Sequence, residues 1–321
     1  MSLLEIRNLG VIYHSRMGIV RAVNSVSFSI EKGQSLGLVG ESGCGKTTLV
    51  LSILRLLPPA AEIVSGQIFF EDQELLSASE TEMREIRGKG ISMIFQASMS
   101  ALNPLHTAGD QIAEAIQAHN KVEKADAFSK ACDALRMVHI NPSKARDYPH
   151  EFSGGMRQRI MIAMALACNP KILLADEPHT ALDVMTSAQI LELIRNIRKR
   201  SNLAMLMVTH DLSVVAETCE KTAVMYASNI VEIADTKNIF HSPLHPYTMK
   251  LISCFPRLSH KTPFETLKGT PPDLITPPPG CKFHPRCNFS CDLCRKEEPQ
   301  LVEIEPNHFA ACHFIGDVEK R

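Results

Sequence analysis

Two short stretches carry the residue types that a triphosphate requires: "GESGCGKT", from Gly40 to Thr47, and "KILLADEP", from Lys171 to Pro178. In the first, glycines let the backbone turn its N–H groups inward around phosphate oxygens, and the helix that follows adds the positive end of its dipole. Lys46 offers a point charge to the β- and γ-phosphates, and the Thr47 hydroxyl is a ligand for Mg²⁺. Gly, four residues, then Gly-Lys-Thr, set between a strand-like and a helix-like run, is the P-loop spacing. In the second stretch an apolar strand ends on Asp176, placed to hold the Mg²⁺ shell. Glu177 follows at once, sited to polarise an attacking water. Two acids at a strand end are by themselves ordinary solvated carboxylates; beside a P-loop they favour an Mg²⁺-dependent nucleoside triphosphatase.

A second constellation lies near the other end. "GCKFHPRCNFSCDLC", residues 280–294, holds four cysteines, and Cys312 follows. The chain has ten cysteines. Cys44, Cys132, Cys168, Cys219 and Cys254 are scattered singly, mostly in apolar surroundings, and read as buried small hydrophobes. The clustered five need another reason. Cys291 and Cys294 form a Cys-x-x-Cys pair whose spacing alone suggests zinc, with His284, His308 and His313 as further ligands. Unligated thiols and an iron–sulfur centre are the alternatives. The segment is rich in proline and poor in helical or strand periods, so a metal staple is a credible source of its fold.

These groups must be positioned by regular elements. "LLEIRNL", "VSFSI" and "QSLGLV" alternate like strands, and "TTLVLSILRLL" reads as a helix stopped by Pro58-Pro59. "GQIFF" and "GISMIF" read as further strands. From about 105 to 167 the pattern is helical, in "AGDQIAEAIQAH", "DAFSKACDALRMV" and "GGMRQRIMIAMALA". Strands return at "KILLAD" and "LAMLMVTH", around the helical "VMTSAQILELIRNIRKR". Alternating strands and helices predict a largely parallel sheet interrupted by a helical block. After about residue 240 prolines accumulate and regular structure thins out.

Composition narrows the class. Of 321 residues 45% are apolar, enough for a sizeable core, and the net charge is −1. That balance argues against a nucleic-acid partner held by phosphate contacts and against a polybasic lipid grip. The opening "MSLLEIRNLG" lacks the basic and apolar regions of a signal peptide. The longest apolar stretch, "IMIAMALAC", is about half of what a membrane span needs. The expectation is a cytosolic protein with reduced thiols.

"EFSGGMRQR", residues 151–159, resembles the signature sequence of ATP-binding cassette (ABC) ATPases, and it lies upstream of "LLADEP" as in that family. Other stations follow the family order. Tyr13 matches the aromatic residue that stacks on adenine, Gln96 in "MIFQ" the Q-loop, Asp183 in "ALD" the D-loop, and His210 in "VTHD" the histidine that contacts the γ-phosphate. Taken singly, Ser153-Gly154-Gly155 is also a plain helix N-cap. "YPHEFSGGMRQRIMIAMALACNPKILLADEP", "LNPLHTAGDQI", "HDLSVVAETCE" and "SPLHPYTMKLI" look like the oligopeptide/dipeptide/nickel importer subfamily. Its members end in "GC-x-FHPRC", a further cysteine and "ACH".

The resemblance implies an α/β P-loop NTPase fold with a mostly parallel sheet core, an N-terminal antiparallel β subdomain, an inserted helical subdomain over about 97–168, and a small Cys-rich tail. The divisions would be an ATPase domain over 1–240, a Pro-rich linker over 241–280 and a Cys-rich module over 281–321. ATP would be bound by Tyr13 and by Gly40, Glu41, Ser42, Gly43, Cys44, Gly45, Lys46, Thr47 and Thr48, with Ser153, Gly154, Gly155 and Asp183 acting on the ATP of an opposing subunit. Glu177 would be the base, His210 and Gln96 would position the γ-phosphate and water, and Thr47, Gln96 and Asp176 would serve Mg²⁺. Cys281, Cys287, Cys294 and Cys312 match a pattern similar to that of relatives carrying a [4Fe–4S] cluster, with Zn²⁺ as the alternative. Implied partners are a second, related ATPase subunit, two transmembrane permease subunits and an extracellular solute-binding protein, placing the chain peripherally on the cytoplasmic face of the membrane. The rival function is a soluble ABC ATPase of repair or translation with an iron–sulfur element. Departures from the family are Phe152 for Leu, Ala97 and Ser98 for an acidic residue and Pro, His179 for Thr, and Ser228-Asn229 for a Gly-basic turn.

Overall fold

The computed structural model describes residues 2–96, 101–254 and 269–314; Ala97 and Ser98 lie outside them. The chain opens with two long strands, β1 (Ser2–Ser15) and β2 (Gly18–Glu31), then β3 (Ser35–Val39), which feeds the P-loop and helix α1 (Lys46–Ile53). β4 (Ala61–Phe70), β5 (Gln73–Glu74), α2 (Glu80–Ile86) and β6 (Ile91–Ile94) follow. Then come α3 (Ala108–His119), α4 (Lys124–Met137), α5 (Gly154–Leu166), β7 (Ile172–Asp176), α6 (Val184–Ser201), β8 (Ala204–Thr209) and α7 (Leu212–Thr218). The last third contains β9 (Lys221–Tyr226), β10 (Asn229–Asp235), α8 (Thr236–His241), α9 (Pro246–Ser253), α10 (Asp292–Lys296), β11 (Val302–Glu305) and β12 (His308–Ala310).

These elements form two compact units. One comprises Met1–Leu3, Ile30–Gln34 and Ser77–Met207; the other comprises Leu4–Ser29, Ser35–Leu76 and Val208–Arg321. In the first, β6 and β7 pair in parallel from Ile91–Ile172 to Ile94–Ala175. Every residue of β6, β7 and β8 is buried, which is why they read as continuous apolar runs rather than alternating ones. Helices α3, α4 and α5 lie between β6 and β7 in sequence, and α3 presents Ile112, Ala113 and Ile116 inward, the period that the sequence shows. α2 has no apolar stripe long enough to announce it. Its start is a capping box, with Ser79 Oγ accepting from Glu82 N–H and Glu82 Oε2 accepting from Ser79 N–H.

In the second unit, β2, β1, β4 and β5 form an antiparallel sheet in that order, and β3 pairs with β9 in parallel. α1 stops before the proline pair. Leu56 N–H donates to Leu51 C=O and Arg55 N–H to Ser52 C=O, a Schellman motif with Arg55 at φ 52. A backbone signal thus ends the helix where the sequence points to Pro58. β9 and β10 form a hairpin over Ala227-Ser228, both at positive φ (43 and 74), as a type I′ turn demands. Neither is Gly or Asn, the residues that mark such a turn, and the family resemblance placed the turn one residue later, at Ser228-Asn229.

The tail is more ordered than its composition suggests. β12 pairs with β10 (Glu232 opposite Ala310, Ile233 opposite Phe309), and β11 pairs with β12. Phe283 is buried against Tyr226 and Tyr247, ring centroids 5.2 and 5.4 Å away. The tail thus has an aromatic anchor and strand pairing to offset its ordering entropy. β11, "VEIE", is exposed along its whole length, so it carried no strand period.

Glu232 organises the joint. Its buried carboxylate accepts from Leu244 N–H (2.7 Å), His245 N–H (2.9 Å) and the ring of His308 (2.7 Å). His245 caps α9, its Nδ1 accepting from Tyr247 N–H at 3.0 Å. Burial pushes the His245 imidazole down to about 4, opposed in part by the Glu232 charge. The ring is therefore neutral in the fold, whereas in the unfolded chain it takes up a proton near pH 6.5. The stability this confers is complete above about pH 6.5 and is lost as pH falls towards 4, by at most ~3 kcal/mol. Denaturant unfolding at pH 7, 6 and 5 is expected to show this loss, and H245N, which keeps a capping acceptor but cannot titrate, is expected to show a flatter acid limb. An unchanged limb in H245N would remove His245 as its source.

Candidate functional site

The P-loop grows directly out of buried β3. Two of its glycines are set by crowding: a Cβ on Gly40 would lie 2.1 Å from Met225 C=O, and one on Gly45 would lie 2.0 Å from Ala22 C=O. Both have positive φ (158 and 108), and no side chain caps α1, so its first N–H groups face the loop. Lys46 is buried and spans the loop, its Nζ donating to Gly40 C=O (2.7 Å) and Glu41 C=O (3.0 Å). Cys44 is buried too, and burial pushes its thiol up, so it is an inert filler here. Among the scattered cysteines Cys219 is also buried, whereas Cys132, Cys168 and Cys254 are only half-buried.

The loop is braced from outside. Cys44 C=O accepts from Ser228 N–H at 3.0 Å, in the β9–β10 turn. Glu41 N–H donates to Tyr247 Oη at 3.1 Å, and the Glu41 carboxylate receives both arms of Arg286, at 2.7 and 3.0 Å. Sequence reasoning assigned no role to Tyr247 or Arg286; the "FHPRC" word held the signal but was read for its cysteines. Tyr13, half-buried on β1, meets the Thr48 hydroxyl at 3.2 Å. His210 stands exposed at the end of β8, and Asp211 caps α7 through Ser213 N–H. The unit containing β3 thus holds Tyr13, residues 40–48 and His210.

The other unit holds Gln96, Ser153, Gly154, Gly155, Asp176, Glu177 and Asp183. Gln96 is exposed in a turn after β6. Ser153 is the N-cap of α5, accepting from Met156 N–H at 3.4 Å, and is exposed, leaving that helix start open to solvent. Phe152, the departure beside it, is buried with the Lys144 ammonium 5.7 Å over its ring. Asp183 caps α6 through Thr186 N–H and hydroxyl, which hold its carboxyl below the usual range. A Cβ on Gly155 would lie 2.4 Å from Thr186 Cγ2, so the starts of α5 and α6 pack closely.

Asp176 ends β7, Glu177 follows it, and both are buried. Glu177 has φ 50, a left-handed backbone that a non-glycine residue adopts at a cost of roughly 1–2 kcal/mol. Its Oε2 accepts from Thr180 Oγ1 at 3.0 Å, and His179 Nε2 lies 3.8 Å from it. Gln158, buried on α5, donates to Pro178 C=O at 2.7 Å and so ties the "SGGMRQ" helix to the loop after Glu177.

In the tail, Cys281, Cys287, Cys294 and Cys312 line one small cavity together with His284 and His313. Cys291 does not line it, although its sulfur is 4.0 Å from that of Cys294. Burial pushes Cys281 and Cys312 up to about 11 and raises Cys287 and Cys294, while hydrogen bonding from Cys294 N–H lowers Cys291. His308, a possible zinc ligand by sequence, is instead fully buried on Glu232. Among the described residues no three His, Cys, Asp or Glu side chains approach closely enough to hold a single ion.

Residues 23–180 match the ABC transporter family model, and residues 231–294 match the C-terminal region of oligopeptide/dipeptide transporters. The chain is 49% identical over 321 residues to the "Probable peptide ABC transporter ATP-binding protein y4tR" of Sinorhizobium fredii, covering 98% of this chain and 96% of that one. It is 46% identical to the dipeptide transport ATP-binding protein DppD of Bacillus subtilis (96% and 93% covered) and 42% identical to DppD of Escherichia coli (99% and 98% covered). Among solved structures it is similar to the dimeric ATP-binding cassette MJ0796 bound to ADP and Pi, with TM-score 0.65, 26% identity, and coverage of 73% of this chain and 98% of that one. A glycine cradle closed by Lys46, a Ser-capped signature helix and a cysteine-lined tail thus occur together on a fold and a sequence that agree with them, and the chain belongs to the ATP-binding proteins of the ABC transporter family, in the branch that carries the oligopeptide/dipeptide C-terminal region.

Proposed function

We propose that the chain is the ATP-hydrolysing subunit of an importer for dipeptides, oligopeptides or a similar small solute, acting at the cytoplasmic face of the membrane beneath two permease subunits. The observation that carries this is the P-loop cradle with Lys46 folded across it, in a chain that aligns along nearly its whole length with dipeptide and peptide transport ATP-binding proteins. No described helix is long and apolar enough to cross a membrane; in this reading the solute path belongs to the permease chains. Selection of solute falls to those chains and to an external binding protein.

The roles follow from the chemistry of each group. N–H groups of residues 43–48 and the Lys46 ammonium hold the phosphates, and Tyr13 receives adenine. Thr47, Gln96 and Asp176 are hard oxygen donors of the kind Mg²⁺ selects, and the buried Asp176 carboxylate suits a cation. Bound there, Mg²⁺ would neutralise charge on the phosphate oxygens. Glu177, fixed by Thr180, takes the proton of the attacking water, and His210 and Gln96 orient the γ-phosphate. Ser153, Gly154, Gly155 and Asp183 serve the ATP of a second, related cassette. Support for that pairing comes from the open helix start at Ser153 and from Val184 and Met185, apolar yet 84% and 72% exposed beside Asp183. Phe95 and Leu105, exposed on either side of the Q-loop, suit contact with the permease. E177Q is expected to bind MgATP as the parent does and to lose turnover by at least about 100-fold. Undiminished hydrolysis by E177Q would remove Glu177 as base.

The same reading gives the tail a [4Fe–4S] cluster on Cys281, Cys287, Cys294 and Cys312. Support for that assignment comes from four soft donors lining one cavity, the donor set that a cube taking one thiolate at each iron requires. Such a cluster would cross-link β12 and the "GCKFHPRC" turn. Anaerobically purified protein is expected to contain about four iron and four sulfide per chain. C294S is expected to lose both, and C291S to keep them. One zinc per chain without sulfide, or iron lost in C291S alone, would overturn this assignment.

A further inference from the structure

The phosphate-gripping loop carries a carboxylate, Glu41, on the very segment that must attract a polyanion. Left uncompensated, that charge would oppose triphosphate binding and would be free to draw the loop towards solvent. It is not left so. Arg286 approaches with its guanidinium fork flat on, Nη1 at 2.7 Å from Oε2 and Nη2 at 3.0 Å from Oε1. This is the two-bond geometry that fixes a carboxylate in direction as well as charge. The Arg286 side chain is 6% exposed and that of Glu41 23%, so water screens the pair only from one side.

Arg286 is itself held. Its Nη1 also reaches Tyr226 Oη at 3.3 Å, and its backbone N–H donates to Phe283 C=O. Its carbonyl accepts from Lys250 Nζ at 2.6 Å. Phe283 packs on Tyr226 and Tyr247, and the Tyr247 hydroxyl accepts from Glu41 N–H. The backbone N–H and both carboxylate oxygens of one P-loop residue are therefore fixed by two elements that meet on one buried ring. Residue 286 lies in the short turn between Cys281 and Cys287, so the brace belongs to the C-terminal module and not to the cassette core.

We propose that Arg286 is a positioning residue for ATP binding: by neutralising and clamping Glu41 it holds the P-loop in its phosphate-receiving shape and makes nucleotide affinity depend on the C-terminal module. The proposal rests on the P-loop being the ATP site. Failure of the parent protein to bind MgATP would count against that reading, whereas the variants below test the brace itself.

The test is a double-mutant cycle on the full-length chain, with MgATP affinity measured by titration calorimetry and folding checked by thermal melting. R286Q leaves Glu41 uncompensated and is expected to weaken MgATP about tenfold. E41Q supplies the other corner of the cycle, and E41Q/R286Q is expected to bind MgATP at least about threefold more tightly than R286Q. Recovery on removing the carboxylate separates an electrostatic brace from simple loss of packing, which a second substitution would only deepen. An R286Q affinity within about twofold of the parent, or a double variant as weak as R286Q, would overturn the proposal. Should R286Q fail to fold alone, recovery of fold and affinity in E41Q/R286Q supports the pairing, and failure to recover counts against it.

Discussion

A loop that must aim consecutive backbone N–H groups at a triphosphate has no space for side chains behind it, and much of the second unit is arranged around that constraint. Gly40 and Gly45 press against the carbonyls of Met225 and Ala22, so β9 and β2 form the wall on which the loop is moulded. The β9–β10 turn supports Cys44 from behind, at the expense of two non-glycine residues at positive φ. Lys46, with its charge inside a buried loop, is satisfied by the loop's own carbonyls, the bonds that the proposed phosphate would have to replace.

Strain and burial recur where chemistry is expected. Glu177 is held at a left-handed backbone angle, directly after a fully buried strand and beside Thr180 and His179. A carboxylate placed in this way is held to one orientation, which is what the base proposed at Glu177 would require to act on a single water. The Gln158 bond to Pro178 joins that position to the signature helix within the same unit, so displacement of α5 is felt next to Glu177.

The parts of the fold legible from sequence were those with strong periods or motifs. β3, β7 and β8 are short, mostly apolar and wholly buried, α3 matches its predicted span, and Gly40 and Gly45 of the P-loop stand where contact forbids a Cβ. What escaped had no periodic signal. α2 is declared only by the Ser79–Glu82 box, β11 shows no buried face, and the Ala227-Ser228 turn lacks the usual Asn-Gly. Long-range partners were also beyond reach: nothing local indicates that Arg286 meets Glu41 across 245 positions of sequence, or that His308 serves Glu232 and not a metal. Cysteine spacing left Cys291 and Cys294 equivalent; the family pattern favoured Cys294, and Cys294 rather than Cys291 lines the cavity.

The central claim is that one cassette is an incomplete catalyst, since its signature helix and D-loop lie open at Ser153 and beside Val184. The most direct test is steady-state MgATP hydrolysis by the purified chain across a wide concentration range, then after assembly with a related cassette and permease subunits. Negligible turnover per chain in the monomer, rising steeply on assembly, is the predicted result. Full-rate hydrolysis by a strict monomer would contradict it.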